Sequence, residues 1–187
     1  MQLILASNSP RRRELLALEK IPFTVVPSQY EEIDGGLSAQ ETVMRFAEGK
    51  AEEVFSRYPG AVVIGADTVV SLDGEILGKP KSPENAVNML KRLSGRTHSV
   101  FSGVCLLKEG LRLKGISETK VTFNELSDGF IERYVASALP LDKAGAYGIQ
   151  DAQDGYPIVK SYDGSYTNVV GFPMELVREF IRKAEIC

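Results

Sequence analysis

The chain has 187 residues, 43% hydrophobic and 25% charged, with a formal net charge of −3; this is enough to bury a core as one domain or two closely joined lobes. So small a charge excludes a general pull toward nucleic acid or a membrane surface, and no apolar run reaches bilayer-spanning length or reads as a signal-peptide core. With one histidine (His98) and two scattered cysteines (Cys105 and Cys187), the composition argues against a zinc site or a disulfide framework and predicts a cytoplasmic protein, with His98 and Cys105 as buried core groups rather than a catalytic pair.

In chain order, residues 2–6 read as a buried strand and 10–19 as a helix. Ser9-Pro10 marks the helix start, because proline lacks an N–H that has no partner there and serine accepts from the next free amides. Arg11, Arg12 and Arg13 crowd the positive end of that helix, which opposes helix stability and leaves two readings, a bound polyanion such as a phosphate chain or a solvated basic helix start. Pro22 to Val26 read as a second strand. Residues 38–57 carry apolar residues at helical spacing, and Ser38 with Glu41 forms a capping-box signature. Residues 61–66 are an apolar run suited to a strand covered on both faces, continued by Thr68-Val69-Val70. Asp73-Gly74 reads as a two-residue hairpin turn, pairing Leu72 with Glu75 and, further out, Thr68 with Lys79.

Ser82-Pro83 opens another helix, ended by Ser94-Gly95. Residues 99–107 and 111–123 read as two long strands, and 127–138 as an amphipathic helix. Residues 142–155 read as a long functional loop. Residues 158–162 and 166–170 suggest a second hairpin about Asp163-Gly164, and Pro173 opens a final helix. The expected architecture is α/β, a mixed elongated twisted sheet flanked by helices, with two lobes and a central cleft, formed by the whole chain, 1–187, as a single domain.

Several polar residues stand where apolar ones belong. Lys50 falls on the inward face of its helix, so its amine must pair or reach a cleft, or else snorkel to water with only its stem buried. Asp67 lies at the end of the most apolar strand, where open α/β sheets bind ligands. Gly78-Lys79 resembles a P-loop only superficially: the spacing from Gly74 is one residue short and Pro80 replaces Ser or Thr. Glu31-Glu32, as adjacent acids, are ordinarily solvated, but a magnesium site would want such acids near Asp67. Carboxylates, lysines and an arginine pair together suit phosphoryl chemistry, which rests on positioning and charge neutralisation.

The chain resembles the Maf-like nucleoside triphosphate pyrophosphatases nearly end to end. The resemblance is carried by residues 5–12 (Leu-Ala-Ser-Asn-Ser-Pro-Arg-Arg), 65–68 (Gly-Ala-Asp-Thr), 78–80 (Gly-Lys-Pro), 93–98 (Leu-Ser-Gly-Arg-Thr-His) and 142–150 (Asp-Lys-Ala-Gly-Ala-Tyr-Gly-Ile-Gln), with Gly164-Ser165-Tyr166 and residues 170–173 (Val-Gly-Phe-Pro). The form of residues 144–150 is similar to the branch acting on dTTP and UTP. The resemblance implies hydrolysis of the α–β phosphoanhydride with a divalent cation, Mg2+ or Mn2+, and Asp67 as proton acceptor or metal ligand. It implies Arg11, Thr68 and Gln150 as specificity positions, Ser7, Arg12, Glu32, Lys50 and Lys79 around phosphate and metal, and a homodimer. The alternative it implies is a nucleotide-binding regulator of septum formation acting through a protein partner. Asp151 stands where the family often has glycine, so the loop beside the base is expected to differ. Nucleic acid and membrane are not expected as partners, since the chain lacks the basic and aromatic strand pattern of nucleic-acid binders.

Overall fold

The computed structural model describes residues 1–33 and 35–186; Cys187, one of the two cysteines considered above, lies outside them. Strand β1 (Leu3–Leu5) leads into α1 (Pro10–Ala17), β2 (Phe23–Val25), α2 (Ala39–Arg57), the long β3 (Val62–Leu72) and the short β4 (Glu75–Leu77). Then come α3 (Pro83–Leu93), β5 (Thr97–Lys108), β6 (Leu111–Phe123), α4 (Asp128–Ala136), β7 (Val159–Asp163), α5 (Tyr166–Val170) and α6 (Met174–Lys183). The expected caps are present. Ser9 accepts from the Arg12 amide, and Ser38 and Glu41 close a reciprocal capping box at the start of α2.

The seven strands form one mixed sheet in the order β2-β1-β3-β5-β6-β7, with β4 on β3. The β1 pairings to β2 and β3 are parallel, as helical crossovers require; the rest are antiparallel. β1 accompanies β3 only to Ile64, and β4 joins β3 only from Val70. β5 covers the other edge of β3 from Val63 to Ser71, so β1 and β4 lie on the same side. Between them, among the described residues, 65–69 of β3 have no strand neighbour on that side, and this gap is the floor of a cleft.

The apolar interior is divided accordingly. At one end Leu5, Leu16, Ile64 and Leu106 pack with Phe172 and Val177, while Ile4, Ala47 and Val63 pack on the α2 face. At the other end Val70, Leu72, Leu90, Phe123 and Tyr134 form a second centre beneath α3 and α4. Buried polar groups on the strands between (Asp67, Ser102, with Asn168 of α5) mark the boundary. Helix α2 lies unusually close to the sheet because Gly65 and Gly103 offer no Cβ: one built at Gly65 would stand 2.3 Å from the Ala47 carbonyl oxygen, and at Gly103 2.4 Å from that of Val43.

Two expectations are corrected. Tyr166–Val170 is helix α5, not a strand, and Asp163-Gly164 is not a hairpin turn. Its β-branched and aromatic residues favour a strand, but the Ser165 side chain caps the Asn168 amide and the Asn168 amide group donates to Val100 O and Thr119 Oγ1, which fixes the helical turn. The Asp73-Gly74 hairpin does pair Leu72 with Glu75, yet its ladder stops at Val70–Leu77, so Thr68 does not face Lys79. The Gly78 carbonyl accepts instead from the Gly145 amide, and Thr68 faces Ser102 on β5. His98 and Cys105 lie seven residues apart on β5 and thus on opposite faces; His98 contacts Tyr147 and Cys105 is buried against α2.

Candidate functional site

A cleft of about 730 Å³ opens over the β3 gap, within the range of small-molecule sites. All nine site residues expected from the sequence line it: Ser7, Arg11, Arg12, Glu32, Lys50, Asp67, Thr68, Lys79 and Gln150. They arrive from both lobes. Ser7 to Arg12 come from the β1–α1 turn, Glu32 from the segment before α2, Lys50 from α2, Asp67 and Thr68 from β3, Lys79 from beyond β4, and Gln150 from a 3-10 turn at Ile149–Asp154.

Asp67 is the buried centre, 8% exposed. Lys50 Nζ donates to its Oδ1 at 2.8 Å and lies 2.5 Å from Glu32 Oε1. The close approach of α2 at Gly65, two residues before Asp67, lets Lys50 reach the carboxylate. Burial pushes the Asp67 carboxyl above the ordinary aspartate range, while Lys50 and Arg12 pull it partly back. A carboxylate in such surroundings is suited to accept a proton from water or to face a cation.

Arg12, expected beside the phosphates, lines the cleft and is bonded into its floor. Its Nε donates to Gly171 O at 2.9 Å, Nη1 to Ala66 O at 2.7 Å and Nη2 to Thr68 Oγ1 at 3.2 Å. Most of its five N–H groups are therefore committed to the protein. It caps the β3 carbonyl that β1 leaves unpaired, and Gly171, at φ 115°, turns its own carbonyl toward the same guanidinium. Burial draws Arg12 below its ordinary pKa, with the charge of Asp67 opposing. Thr68 Oγ1 also bonds Gly171 O and Ser102 Oγ, so its hydroxyl is held from three sides.

Arg11 crosses the cleft: its Nη1 donates to Asp142 Oδ2 at 2.9 Å, joining α1 to the loop of the other lobe. Ser7, 7% exposed, accepts from the Ser9 amide and fixes the turn into α1. Lys79 is exposed and Gln150 half-buried, and among the described residues neither side chain has a hydrogen-bond or ion-pair partner. These two heads remain open to a ligand. Ser102 was not singled out, and Asp142 and Gly171 were quoted only within longer motifs. The cleft partners that place them, Thr68, Arg11 and Arg12, lie more than 30 residues away, which leaves no local signal.

Among the described residues no three His, Cys, Asp or Glu side chains cluster as metal ligands. Asp67 and Glu32, meeting about one ammonium, are nonetheless hard oxygen donors that fit Mg2+ or Mn2+, ions commonly held by one or two carboxylates together with substrate phosphates and water.

Fold and cleft together give an α/β protein whose two lobes enclose a cleft of small-molecule size, floored by a buried carboxylate and ringed by cations. The chain belongs to the family described as Maf-like protein, which matches residues 2–184. A relative from Thermococcus gammatolerans, named dTTP/UTP pyrophosphatase, is 50% identical over 175 residues, covering 94% of this chain and 92% of the relative. One from Bacillus velezensis with the same name is 47% identical over 188 residues, 98% of each chain. Among solved structures, the Staphylococcus aureus Ham1 protein matches with a TM-score of 0.54 at 18% identity, covering 99% of this chain and 100% of that one, a likeness of fold alone.

Proposed function

We propose that this chain hydrolyses pyrimidine nucleoside triphosphates, dTTP and UTP foremost and modified pyrimidine nucleotides as further substrates, to the nucleoside monophosphate and pyrophosphate. The observation that carries this reading is the buried Asp67 on the cleft floor, held by Lys50, in a chain whose relatives are named for that reaction. Asp67 orients a water toward the α-phosphorus and takes its proton; a bond forms from the water oxygen and the bond to the β-phosphate bridging oxygen breaks, releasing pyrophosphate. Lys50 keeps the Asp67 carboxylate turned to the cleft and adds positive charge beside the phosphates. Lys79, without a partner among the described residues, and Arg11 bind phosphate oxygens. Arg12 contributes its charge and holds the floor rigid.

Gln150 reads the base. Its amide donates to a pyrimidine carbonyl and accepts from the ring N3–H, so a base with that pattern reversed leaves groups unsatisfied. A divalent cation at Asp67 and Glu32, Mg2+ or Mn2+, would supply charge neutralisation on the phosphates. A homodimer belongs to the same proposal and is read by sedimentation. The relatives' names lend nothing to the regulator alternative.

The test is pyrophosphate release from a panel of nucleoside triphosphates with magnesium or manganese, run beside Asp67→Asn. Turnover of dTTP and UTP that the variant loses by about 10³-fold or more, with nucleotide affinity kept within a few-fold, is the expected result. Equal losses in turnover and affinity would mean that Asp67 binds rather than reacts.

A further inference from the structure

The loop that presents Gln150 is fastened by a group the reaction does not use. Asp151 follows Gln150 directly, is 4% exposed and does not itself line the cleft. Its Oδ2 accepts from Tyr134 Oη at 2.5 Å and lies 3.3 Å from Lys143 Nζ. Lys143, 9% exposed, also donates to the Leu139 carbonyl. Tyr134 is fully buried on α4, and its hydroxyl accepts in turn from the Gly148 amide at 3.2 Å. The backbone closes the same knot: the Asp151 amide donates to Gly148 O and the Tyr156 amide to Asp151 O. Gly148 is the residue that permits it, since a Cβ there would stand 2.8 Å from Lys143 Cε and 2.9 Å from Asp151 Oδ2.

Lys143 and Asp151 thus bridge the two ends of residues 144–150. The residue before each of them faces the cleft: Asp142, which holds Arg11, and Gln150. We infer that Asp151, with Lys143 and Tyr134, is a positioning residue that clasps this loop onto α4 and so sets the base selectivity delivered by Gln150. The inference rests on the reading of Gln150 as the base-reading group. The clasp explains why a charged residue is accepted here: a buried carboxylate that meets both an ammonium and a phenol is satisfied, whereas removing either partner leaves it exposed to the desolvation cost. Because the anchor is a packed helix rather than another loop, the amide of Gln150 is presented with little freedom before any ligand arrives.

The experiment compares Asp151→Asn, Tyr134→Phe and Gln150→Glu with the parent protein. Tyr134→Phe removes only one hydroxyl and keeps the aromatic packing, so it remains informative if Asp151→Asn folds poorly. Two quantities are read: backbone amide hydrogen exchange over residues 144–156 in the free protein, and the ratio of kcat/KM for UTP over CTP, with kcat and KM separated. The expected result is faster exchange in both clasp variants, a ratio reduced about tenfold through KM, and kcat within about threefold of the parent. Unchanged exchange overturns the clasp whatever the substrate profile. Faster exchange with an unchanged ratio, while Gln150→Glu loses it, overturns the link to selectivity. If Gln150→Glu also keeps the ratio, the base-reading assignment falls, and the selectivity role of Asp151 falls with it.

Discussion

Replacing Gly65 by alanine tests how α2 delivers Lys50. The added Cβ would stand 2.3 Å from Ala47 O and 2.7 Å from Ala51 N, both backbone atoms, where ordinary contact begins at 3.4 Å. The helix must therefore lift by about 1 Å, since neither atom belongs to a side chain that could swing away. Overpacking of this kind costs about 1–3 kcal/mol. Lys50 sits on the same helical turn, and its 2.8 Å bond to Asp67 would stretch toward the limit of a hydrogen bond. Misplacement of a reacting group by about 1 Å lowers turnover by about 10²-fold. The assays are urea denaturation and pyrophosphate release, with Gly60→Ala as control, because a Cβ at Gly60 meets nothing within 4 Å. A Gly65→Ala protein with parental stability and full turnover would refute the account of how α2 and β3 assemble the site.

Arg12→Lys should lose on the order of 2 kcal/mol of stability in denaturant titration, because an ammonium cannot satisfy the separated Ala66 and Gly171 carbonyls together; parental stability would remove Arg12 from that framework role. Chelation should abolish turnover and added Mg2+ or Mn2+ restore it, followed by pyrophosphate release; full turnover in chelator would exclude the cation. His98, the sole histidine, is held by burial at a pKa of about 4 against an ordinary 6.5. The unfolded chain takes up that proton first as pH falls, so this contribution to stability is complete above pH 6.5 and disappears between 6.5 and 4. It amounts to about 3 kcal/mol. Unfolding measured across that range should show the slope in the parent and lose it in His98→Gln; identical slopes would refute the assignment.

What was legible in the sequence is what is decided locally. Ser9-Pro10 and Ser38 with Glu41 declare their helices because the side chain bonds the backbone within one turn. Asp67 and Lys50 declare themselves because a charge in an apolar pattern needs a partner, and each proves to be the other's. The α5 helix was hidden because Asn168 draws its preference from Val100 and Thr119, about 50 residues away or more. The path of Lys79 was hidden because Gly78 leaves the β4 ladder for Gly145. The Arg11–Asp142 bridge spans 131 residues and carries no periodic or spacing signal.

Arg12 also bears on the order in which the protein becomes competent. One guanidinium gathers the first helix, the middle of β3 and the end of α5, the last contact spanning 159 residues. Closures of that length come late, because chain entropy must be overcome before they are rewarded. During refolding, compaction and helix signals would therefore run ahead of catalytic recovery, and the return of turnover would time the docking of α5 rather than the collapse of the chain.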